Sequence, residues 1–336
     1  MSKPFTRRAS PDGSQTIRRS AQVIFLVLNA WIGVQFYLFV HQFESGAASP
    51  IDRPPGVEGW LPIAGLLNLK AYLATGEVPM IHPAAMVLLA AFLGMSFVFR
   101  RSFCGWLCPV GTFSEQLWKI GQKTFGRTWS LPRWLDLPLR SFKYLLLGFF
   151  AFAAVTMSGE AIAAFMRTPY GVLADVKMLD FFRHMSIASA IVLAVLILTS
   201  IFIKNFWCRY LCPYGALTGL AALLSPLRIL RVPEKCIDCG KCARACPSDL
   251  PVDRLIQIKS AECLGCMECV SSCPAEGALE LRAFSKRRVE PLHVAAGIAA
   301  IFLIAFGTAL VTGHWYSPVP REFYARWIPF VSALSH

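Results

Sequence analysis

Long runs with few or no charged residues dominate the hydropathy pattern of the chain. Five of them reach the length of a membrane span, at residues 21–40, 83–99, 142–165, 185–203 and 292–311. A helix needs about 20 apolar residues to cross roughly 30 Å of hydrocarbon, so each run predicts a transmembrane helix. The third run has Lys143 at its start and is interrupted near its end by Gly159 and Glu160. Because a carboxylate is costly at mid-bilayer, we expect Glu160 at a solvated helix end near an interface.

Basic residues are distributed unequally among the segments that connect these runs. Of the 33 Lys and Arg residues, 26 lie in segments 1–20, 100–143 and 204–291. Cytoplasmic segments of membrane proteins carry an excess of Lys and Arg, so these three are predicted to be cytoplasmic, with the C-terminus outside. The run 21–40 is longer than the apolar core of a signal peptide and predicts a retained anchor.

The overall composition agrees with a membrane protein. Only 16% of the residues are charged and 55% are hydrophobic, whereas soluble proteins have about 25% charged residues. This composition excludes intrinsic disorder and a disulfide-stapled secreted domain. Lipid is an expected partner and nucleic acid is not, because the predicted topology already accounts for the net charge of +13.

Eight of the twelve cysteines form two tandem C-x2-C-x2-C-x3-C-P runs, which start at Cys236 and Cys263. In bacterial two-cluster ferredoxins the fourth cysteine of each run ligates the other cluster, so the pattern predicts two 4Fe-4S clusters. A paired zinc site would normally lack the third cysteine and the Cys-Pro ending. The first ligand set is predicted to be Cys236, Cys239, Cys242 and Cys273, and the second ligand set Cys263, Cys266, Cys269 and Cys246. The acidic residues around them are predicted to be solvated, namely Asp238, Glu262, Glu268 and Glu276.

The other four cysteines form an internal repeat of two C-x3-C-P elements. Cys104 and Cys108 follow the second apolar run, and Cys208 and Cys212 follow the fourth. The proline after each element predicts that Cys108 and Cys212 lie at helix N-termini, where the helix dipole favours a thiolate. Positive charge nearby comes from Arg100, Arg101 and Arg209. We expect this cysteine quartet to converge, and it could ligate a third cluster, bind a soft metal such as Cu(I), or cycle between dithiol and disulfide.

The predicted fold is a polytopic α-helical membrane protein of about five transmembrane helices with an inserted bacterial two-cluster ferredoxin-like α+β domain. Its predicted parts are a cytoplasmic segment 1–20, a four-helix membrane domain 21–231 that contains both C-x3-C-P elements, a cytoplasmic ferredoxin domain 232–284, and a fifth helix with a periplasmic tail, 285–336. Additional helices are predicted at 61–74, 111–125 and 215–224, lying along the membrane surfaces.

The ordered combination of apolar helices, two C-x3-C-P elements and a two-cluster ferredoxin segment resembles the NapH/MauN-type membrane ferredoxins and their relatives NosR and CcoG. The resemblance implies electron transfer in the bacterial inner membrane, commonly as a subunit of a quinol dehydrogenase-type oxidoreductase that feeds a periplasmic reductase or cytochrome. For the CcoG branch it implies a part in copper handling during oxidase assembly. The chain departs from NapH-type members by its fifth helix and the outer tail 313–336.

The predicted function is therefore one-electron transfer between membrane quinol and a partner redox protein. The alternative is a metal or thiol-disulfide reductase that assists the assembly of another metalloenzyme, with the quartet as the reacting group. Four histidines lie at predicted outer helix ends and are candidate metal ligands or proton acceptors from quinol, namely His41, His82, His184 and His314. No C-x-x-C-H motif is present, so haem is not expected on this chain.

Overall fold

Helices make up most of the structure, a computed structural model that describes residues 6–8, 12–46 and 51–334. In chain order they are α1 (Ser14–Ser45), α2 (Pro62–Thr75), α3 (Pro83–Phe99), α4 (Pro109–Phe125), α5 (Arg133–Thr156), α6 (Gly159–Arg167), α7 (Pro169–Val172), α8 (Ala174–Arg183), α9 (Ile187–Phe202), α10 (Pro213–Leu223), α11 (Lys241–Ala245), α12 (Glu268–Ser271), α13 (Pro291–Val311) and α14 (Arg321–Trp327). Short 3-10 helices occupy Pro55–Trp60, Pro233–Lys235 and Ile328–Ala333, and π-helical turns occupy Phe103–Leu107 and Trp207–Leu211. Parts of the predicted N-terminal segment, outer loop and tail lie outside the described residues.

The apolar helices α1, α3, α5, α9 and α13 coincide with the five uncharged runs of the sequence. By length and composition, α1, α5 and α13 can each cross a membrane, and α9 qualifies only together with α8, to which it is bent by 85°. Helix α3 is apolar but has only 17 residues. The described residues thus contain three to four helices of spanning length where five were predicted. At most 17% of the apolar windows of α1, α5 and α13 is buried, and apolar surface of this extent is typical of contact with lipid.

The third predicted span, 142–165, is divided in the structure. Helix α5 ends at Thr156, and α6 starts at Gly159. The hydroxyl of Ser158 accepts a hydrogen bond from the backbone N–H of Ala161 at 3.1 Å, which caps the new helix. Glu160 lies exposed in the first turn of α6, where the helix dipole favours a carboxylate. The structure thus places Glu160 exposed at a helix end, as expected. The predicted continuous span is wrong, because Ser158 begins a separate helix.

The chain divides into two structural units. Unit 1 consists of Met1–Leu26, Phe92–Leu147 and Leu193–Ile301, and unit 2 of Val27–Ala91, Gly148–Val192 and Phe302–His336. The division falls inside each of the five apolar helices. All twelve cysteines belong to unit 1, whereas His41, His82, His184 and His314 belong to unit 2.

Unit 1 contains a four-stranded antiparallel sheet in the order β2-β1-β3-β4, with β1 at Leu227–Arg231, β2 at Gln257–Ile258, β3 at Leu279–Ala283 and β4 at Arg287–Arg288. In the central strand β1, Ile229 pairs with Ile258 on one side and with Leu281 on the other, and all three side chains are buried. Helix α11 packs on α12, which contacts β3. The two C-x2-C-x2-C runs lie in the connections between these strands, as an α+β ferredoxin fold requires. The predicted limits of this domain are residues 232 and 284. The sheet extends beyond both, since β1 begins before residue 232 and β4 ends after residue 284.

Unit 2 contains two hydrophobic clusters. In one, α2 packs on α6, so the helix predicted at 61–74 is confirmed. Its Lys70 donates hydrogen bonds to the carbonyls of Ala154 and Val155, each at 2.8 Å, and also to that of Met157, which satisfies the C-terminal carbonyls of α5. In the other cluster, Tyr324 of α14 packs edge-on against Phe39 of α1, with ring centroids 5.2 Å apart. The tail after α13 therefore contributes to a folded core.

Candidate metal centres

The two C-x2-C-x2-C runs follow the same backbone path. In both runs the residues on either side of the second cysteine have positive φ angles. These residues are Asp238 and Gly240 in the first run, and Gly265 and Met267 in the second. At Gly265 a Cβ atom would lie 2.8 Å from the carbonyl oxygen of Phe99, so only glycine fits. A short helix follows each turn, α11 in the first run and α12 in the second. The repeat seen in the sequence is thus also a repeat in the backbone.

Burial separates the eight cysteines into two groups of four. Cys246, Cys263, Cys266 and Cys269 are buried, and Cys236, Cys239, Cys242 and Cys273 are partly exposed. These groups coincide with the second and first ligand sets, including the exchange of the fourth cysteine between the two runs. Sequence order alone would have grouped Cys246 with the first run.

The second ligand set borders a single cavity. Its lining includes Cys246, Cys263, Cys266 and Cys269 together with apolar side chains such as Ile229, Leu250, Val252 and Ile258, and the cavity itself is small, about 20 Å³. Burial raises the pKa of Cys246 to about 11 and those of Cys266 and Cys269 well above the ordinary value. Such thiols lose their protons when a metal binds. A cavity lined by four thiols and otherwise apolar fits a 4Fe-4S cluster.

The first ligand set is also gathered in one place. Burial raises the pKa of Cys273, and the neighbouring thiols Cys239 and Cys236 raise it further. Burial likewise raises the pKa of Cys242, with a contribution from Cys273. The two sets adjoin each other, because Cys242 on α11 adds to the raised pKa of Cys269 on α12.

The two C-x3-C-P elements have matching local structures. Each begins with a π-helical turn, Phe103–Leu107 in the first and Trp207–Leu211 in the second. Cys108 and Cys212 are then the N-cap residues of α4 and α10, and each is followed by proline at the first helical position. The predicted placement of both cysteines at helix N-termini is confirmed. Helices predicted at 111–125 and 215–224 correspond to α4 and α10.

The four thiols of the quartet lie near one another. Burial raises the pKa of Cys208 well above its ordinary value, and the thiols of Cys212, Cys108 and Cys104 add to this shift. Burial together with Cys104 raises the pKa of Cys108 to about 12, although the backbone amide of Gly111 lowers it. The expectation that the helix N-termini favour thiolates at Cys108 and Cys212 is therefore wrong for the protein without a bound metal group. The amides act in the predicted direction, but burial and the neighbouring sulfur atoms outweigh them.

Two hydroxyl groups occupy corresponding positions of the repeat beside the quartet. The hydroxyl of Thr218 on α10 lies 3.4 Å from the sulfur of Cys104. Its counterpart on α4 is Ser114, which is buried and has no hydrogen-bond partner among the described residues. The guanidinium of Arg101 interacts electrostatically with Cys104 and Cys208. Polar groups of this kind next to sulfur are typical of a ligand shell that orients and tunes a metal group.

The loops that carry the quartet and the second ligand set are in direct contact. Between Cys104 and Cys108, Gly105 approaches Leu264 so closely that a Cβ atom would lie 2.8 Å from the Leu264 carbonyl oxygen. The indole N–H of the next residue, Trp106, donates a hydrogen bond to the carbonyl of Gly265 at 3.2 Å. Since Leu264 and Gly265 lie between Cys263 and Cys266, the two groups of thiols belong to adjoining loops.

Two carboxylates predicted to be solvated are instead paired with basic residues, Glu262 buried and Glu268 partly buried. Glu262, directly before Cys263, accepts hydrogen bonds from Lys143 at 2.6 Å and from Arg101 at 3.0 Å. Glu268 accepts from Arg18 at 2.8 Å and from Lys119 at 2.7 Å. All these partners are distant in sequence, so no local pattern could have indicated them. Asp238 and Glu276 are exposed as predicted.

The four histidines of unit 2 have separate surroundings. His82 is buried, and its imidazole contacts Arg53 at 3.1 Å, Glu58 at 3.3 Å and the carbonyl of Gly171 at 2.9 Å. His184 pairs with Asp180 at 2.8 Å, His41 lies 3.9 Å from Glu44, and His314 is exposed. Within residues 6–8, 12–46 and 51–334, no three His, Cys, Asp or Glu side chains lie close enough to hold a single metal ion.

A group of buried charges around His82 was not indicated by the sequence. Arg53 donates hydrogen bonds to Glu58 and Asp175, both at 2.7 Å, and all three side chains are at least nine-tenths buried. Glu58 also accepts a hydrogen bond from the backbone N–H of Ala85 at 3.1 Å. The network joins three segments of unit 2 that are far apart in the chain, namely 53–58, 82–85 and 171–175, so no spacing pattern in the sequence indicates it.

Comparisons with known proteins agree with this geometry. The 4Fe-4S binding domain family matches residues 81–128 and 185–231, which contain the two C-x3-C-P elements. The 4Fe-4S dicluster domain family matches residues 228–274, which contain both ferredoxin runs. No solved structure matches the chain.

Several known sequences are similar to the chain. YccM of Escherichia coli K12, a proposed electron transport protein, is 48% identical over 328 residues, which is 96% of this chain and 92% of YccM. The methylamine utilization ferredoxin-type protein MauN of Methylorubrum extorquens is 30% identical over 56% of this chain and 61% of MauN. The regulatory protein NosR of Pseudomonas aeruginosa is 30% identical over 44% of this chain and 20% of NosR. The chain therefore belongs to the NapH/MauN-type ferredoxin family, as a close relative of YccM that carries 4Fe-4S binding domains.

Proposed function

We propose that the protein is a multi-pass protein of the bacterial inner membrane that passes single electrons between the quinol pool and a partner redox protein. The first and second ligand sets each hold one 4Fe-4S cluster. The observation that carries this proposal is the cavity lined by Cys263, Cys266, Cys269 and, from the other run, Cys246. A 4Fe-4S cluster accepts and releases one electron at a time.

The surroundings of the two ligand sets fit them for different parts of this task. The second set is buried in an apolar cavity, which keeps water away from its thiols. The first set is partly exposed, which makes it the set accessible to a partner protein. Burial and solvent exposure are among the main determinants of cluster potential. The ligand sets therefore differ in environment even though their backbones repeat.

The cysteine quartet is proposed to hold a third cluster. Four mutually interacting thiols, backbone amides directed at Cys108 and Cys212, and the buried hydroxyl of Ser114 support it. The family match over both C-x3-C-P elements supports it as well. Reactive redox thiols usually have lowered pKa values, whereas burial raises those of Cys108, Cys208 and Cys212. The raised pKa values favour a ligand role over dithiol-disulfide cycling.

The proposed topology places segments 1–20, 100–143 and 204–291 in the cytoplasm and the C-terminus outside. The charge distribution of the segments supports this orientation. The division of the chain supports it too, because residues predicted to be cytoplasmic fall in unit 1 and those predicted to be outside fall in unit 2. Quinol as the electron donor and a cytochrome or reductase as the partner follow from the family resemblance.

The first test is the iron and acid-labile sulfide content of the full-length protein, purified without oxygen. We expect about twelve irons per chain in the unaltered protein and about eight in Cys108→Ser. About eight irons in both would contradict the third cluster, and metal or disulfide turnover that depends on Cys108 would then support the assembly-factor alternative. Fewer than about eight irons in the unaltered protein would contradict the two-cluster proposal.

The second test addresses quinol. Membranes or nanodiscs containing the protein are mixed anaerobically with a reduced quinone, and cluster reduction is followed by electron paramagnetic resonance. We expect quinol-dependent signals that disappear when the quinol is pre-oxidised. Clusters that are reduced by dithionite but never by quinol, in the presence of candidate partner proteins as well, would contradict the proposed donor.

A further inference from the structure

The N-terminal segment forms part of the ferredoxin domain through its backbone. Arg7 makes an antiparallel bridge with Ala275. The N–H of Arg8 donates to the carbonyl of Pro274, and the N–H of Glu276 donates to the carbonyl of Thr6, both at 2.9 Å. The three residues 6–8 thus extend along the chain directly after Cys273, a member of the first ligand set.

This pairing brings a guanidinium to the first ligand set. The Arg8 side chain is partly buried and donates a hydrogen bond to the carbonyl of Val270 at 2.8 Å. Burial raises the pKa of Cys273, and the positive charge of Arg8 lowers it, so the guanidinium and the thiol interact. The nearest carboxylate of its own segment is Asp12, at 4.0 Å. At this distance Asp12 cancels only part of the electric field of Arg8 at Cys273.

A second arginine of the same segment has a contrasting environment. Arg18 is fully buried near Cys266, but it binds Glu115 at 2.6 Å and Glu268 at 2.8 Å. Two carboxylates at these distances neutralise its field. Its guanidinium also donates to the carbonyl of Gly105 at 3.1 Å, which links the quartet to the second ligand set. Arg18 therefore links two loops and is paired with two carboxylates at less than 3 Å, whereas Arg8 is paired with one, Asp12, at 4.0 Å.

We infer that Arg8 is a positioning charge that raises the reduction potential of the group held by Cys236, Cys239, Cys242 and Cys273, and that segment 6–8 is folded onto the domain to hold it there. A cluster gains one negative charge on reduction, so a nearby positive charge stabilises the reduced form. The inference rests on the proposed function, since it requires a redox group at the first ligand set. The groove beside Arg8 also contains Glu276, Glu280 and Glu290. Of these, Glu280 is paired with Arg282 at 2.9 Å.

The test is a redox titration of both ferredoxin clusters in full-length protein, followed by electron paramagnetic resonance. In Arg8→Gln we expect the reduced-to-oxidised ratio of the first cluster at a fixed potential to fall by about three- to tenfold, and tenfold corresponds to about 59 mV for one electron. The matched control is Arg7→Gln, which removes the same charge from an exposed side chain one residue away. We expect Arg7→Gln to leave both clusters unchanged.

Arg8→Lys separates charge from structure, because it keeps the positive charge and alters the geometry of the hydrogen bond to Val270. We expect its first-cluster potential to remain near that of the unaltered protein. Equal shifts in Arg7→Gln and Arg8→Gln, an equal shift in Arg8→Lys and Arg8→Gln, or loss of iron in Arg8→Gln would each overturn the inference. Failure of the proposed function is distinguishable, since it would be seen as missing clusters or absent quinol reduction in the unaltered protein.

Discussion

Cys246 belongs to the first cysteine run in sequence and to the environment of the second run in space. It is buried beside Cys263, Cys266 and Cys269, whereas the other three cysteines of its own run are partly exposed. The motif predicts this exchange because the fourth cysteine of each run ligates the other cluster in two-cluster ferredoxins. At the scale of single residues, the cysteines are therefore the part of the candidate site that sequence reasoning describes best.

The exchange of cysteines predicts opposite effects of two similar substitutions. Cys246→Ser should remove the cluster of the second ligand set, with loss of about four irons, and leave the partly exposed cluster intact. Cys273→Ser should do the reverse. Iron analysis and electron paramagnetic resonance of the remaining cluster distinguish them. Loss of the same cluster in both variants would contradict the crosswise assignment.

Charged residues are less predictable than cysteines, as Glu262 demonstrates. Its sequence neighbourhood suggests a solvated carboxylate. Its partners, however, are distant in sequence: Arg101 lies in the loop before Cys104, and Lys143 lies in α5. Burial alone would raise the pKa of Glu262, and the charges of Arg101 and Lys143 bring it below its ordinary value. Non-local pairing of this kind leaves no periodic signal in the sequence.

Glu262→Gln should therefore be strongly destabilising, because it leaves buried cations without a carboxylate. Breaking a buried pair in this way costs about 3 to 5 kcal/mol. Thermal unfolding in detergent should show a clearly lowered midpoint, together with loss of iron from the second ligand set. Glu234→Gln, an exposed carboxylate in the same unit, is the control and should leave both unchanged. Matching stability of the two variants would refute the structural role of Glu262.

At the scale of helices and loops, hydropathy predicts where apolar helices occur but not how each one ends. Helix α5 stops at Thr156 because Ser158 caps a new helix and Lys70 binds the freed carbonyls. Helices α8 and α9 likewise meet at an 85° bend, at the beginning of the apolar run 185–203, which hydropathy does not indicate. Helix ends are decided by a few hydrogen bonds, some from distant segments, whereas the apolar interior is a property of the whole run.

The contact between Gly105 and Leu264 is an element-scale feature that can be tested. Gly105→Ala places a Cβ atom 2.8 Å from the Leu264 carbonyl oxygen, so the quartet loop must move away from the loop of the second ligand set. We expect weaker magnetic coupling between the groups held there and slower electron exchange, measured by relaxation-enhanced electron paramagnetic resonance and rapid freeze-quench. Gly94→Ala is the control, because its Cβ would meet only Ile301 at 4.0 Å. Unchanged coupling in Gly105→Ala would mean that the loops do not mediate the exchange.

At the scale of the whole molecule, ionisable side chains have different roles in the two units. In unit 1 they surround thiols, and in unit 2 they form the network of Arg53, Glu58, His82 and Asp175. Burial alone would lower the pKa of His82, but its hydrogen bond with Glu58 and the charges of Glu58 and Asp175 raise it above its ordinary value. Burial alone would raise the pKa of Glu58, but Arg53 and His82 lower it.

These two shifts predict a pH window for the stability of unit 2. The contribution of His82 is complete below its unfolded-state pKa of 6.5 and is lost as the pH rises through its raised folded-state pKa. The contribution of Glu58 is present above its unfolded-state pKa of 4.5 and is lost as the pH falls through its lowered folded-state pKa. Proteolysis or hydrogen exchange of unit 2 against pH measures both limits. His82→Gln should remove the alkaline loss, whereas the exposed control His293→Gln should retain it.

The repeat of the C-x3-C-P element also bears on the origin of the quartet and on the charges around it. Each supplies two thiols, a proline-started helix and a hydroxyl, as two identical subunits would across a two-fold axis. A repeat of this kind within one chain is typical of gene duplication, and residues 81–128 and 185–231 match the same family. The symmetry is broken where Arg101 in the first copy corresponds to Asn205 in the second. It is broken again where Arg209 of the second copy corresponds to Gly105 of the first. A group held by the quartet would therefore have different charged neighbours in the two copies, Arg101 paired with Glu262 in the first and Arg209 paired with Asp136 and Asp249 in the second.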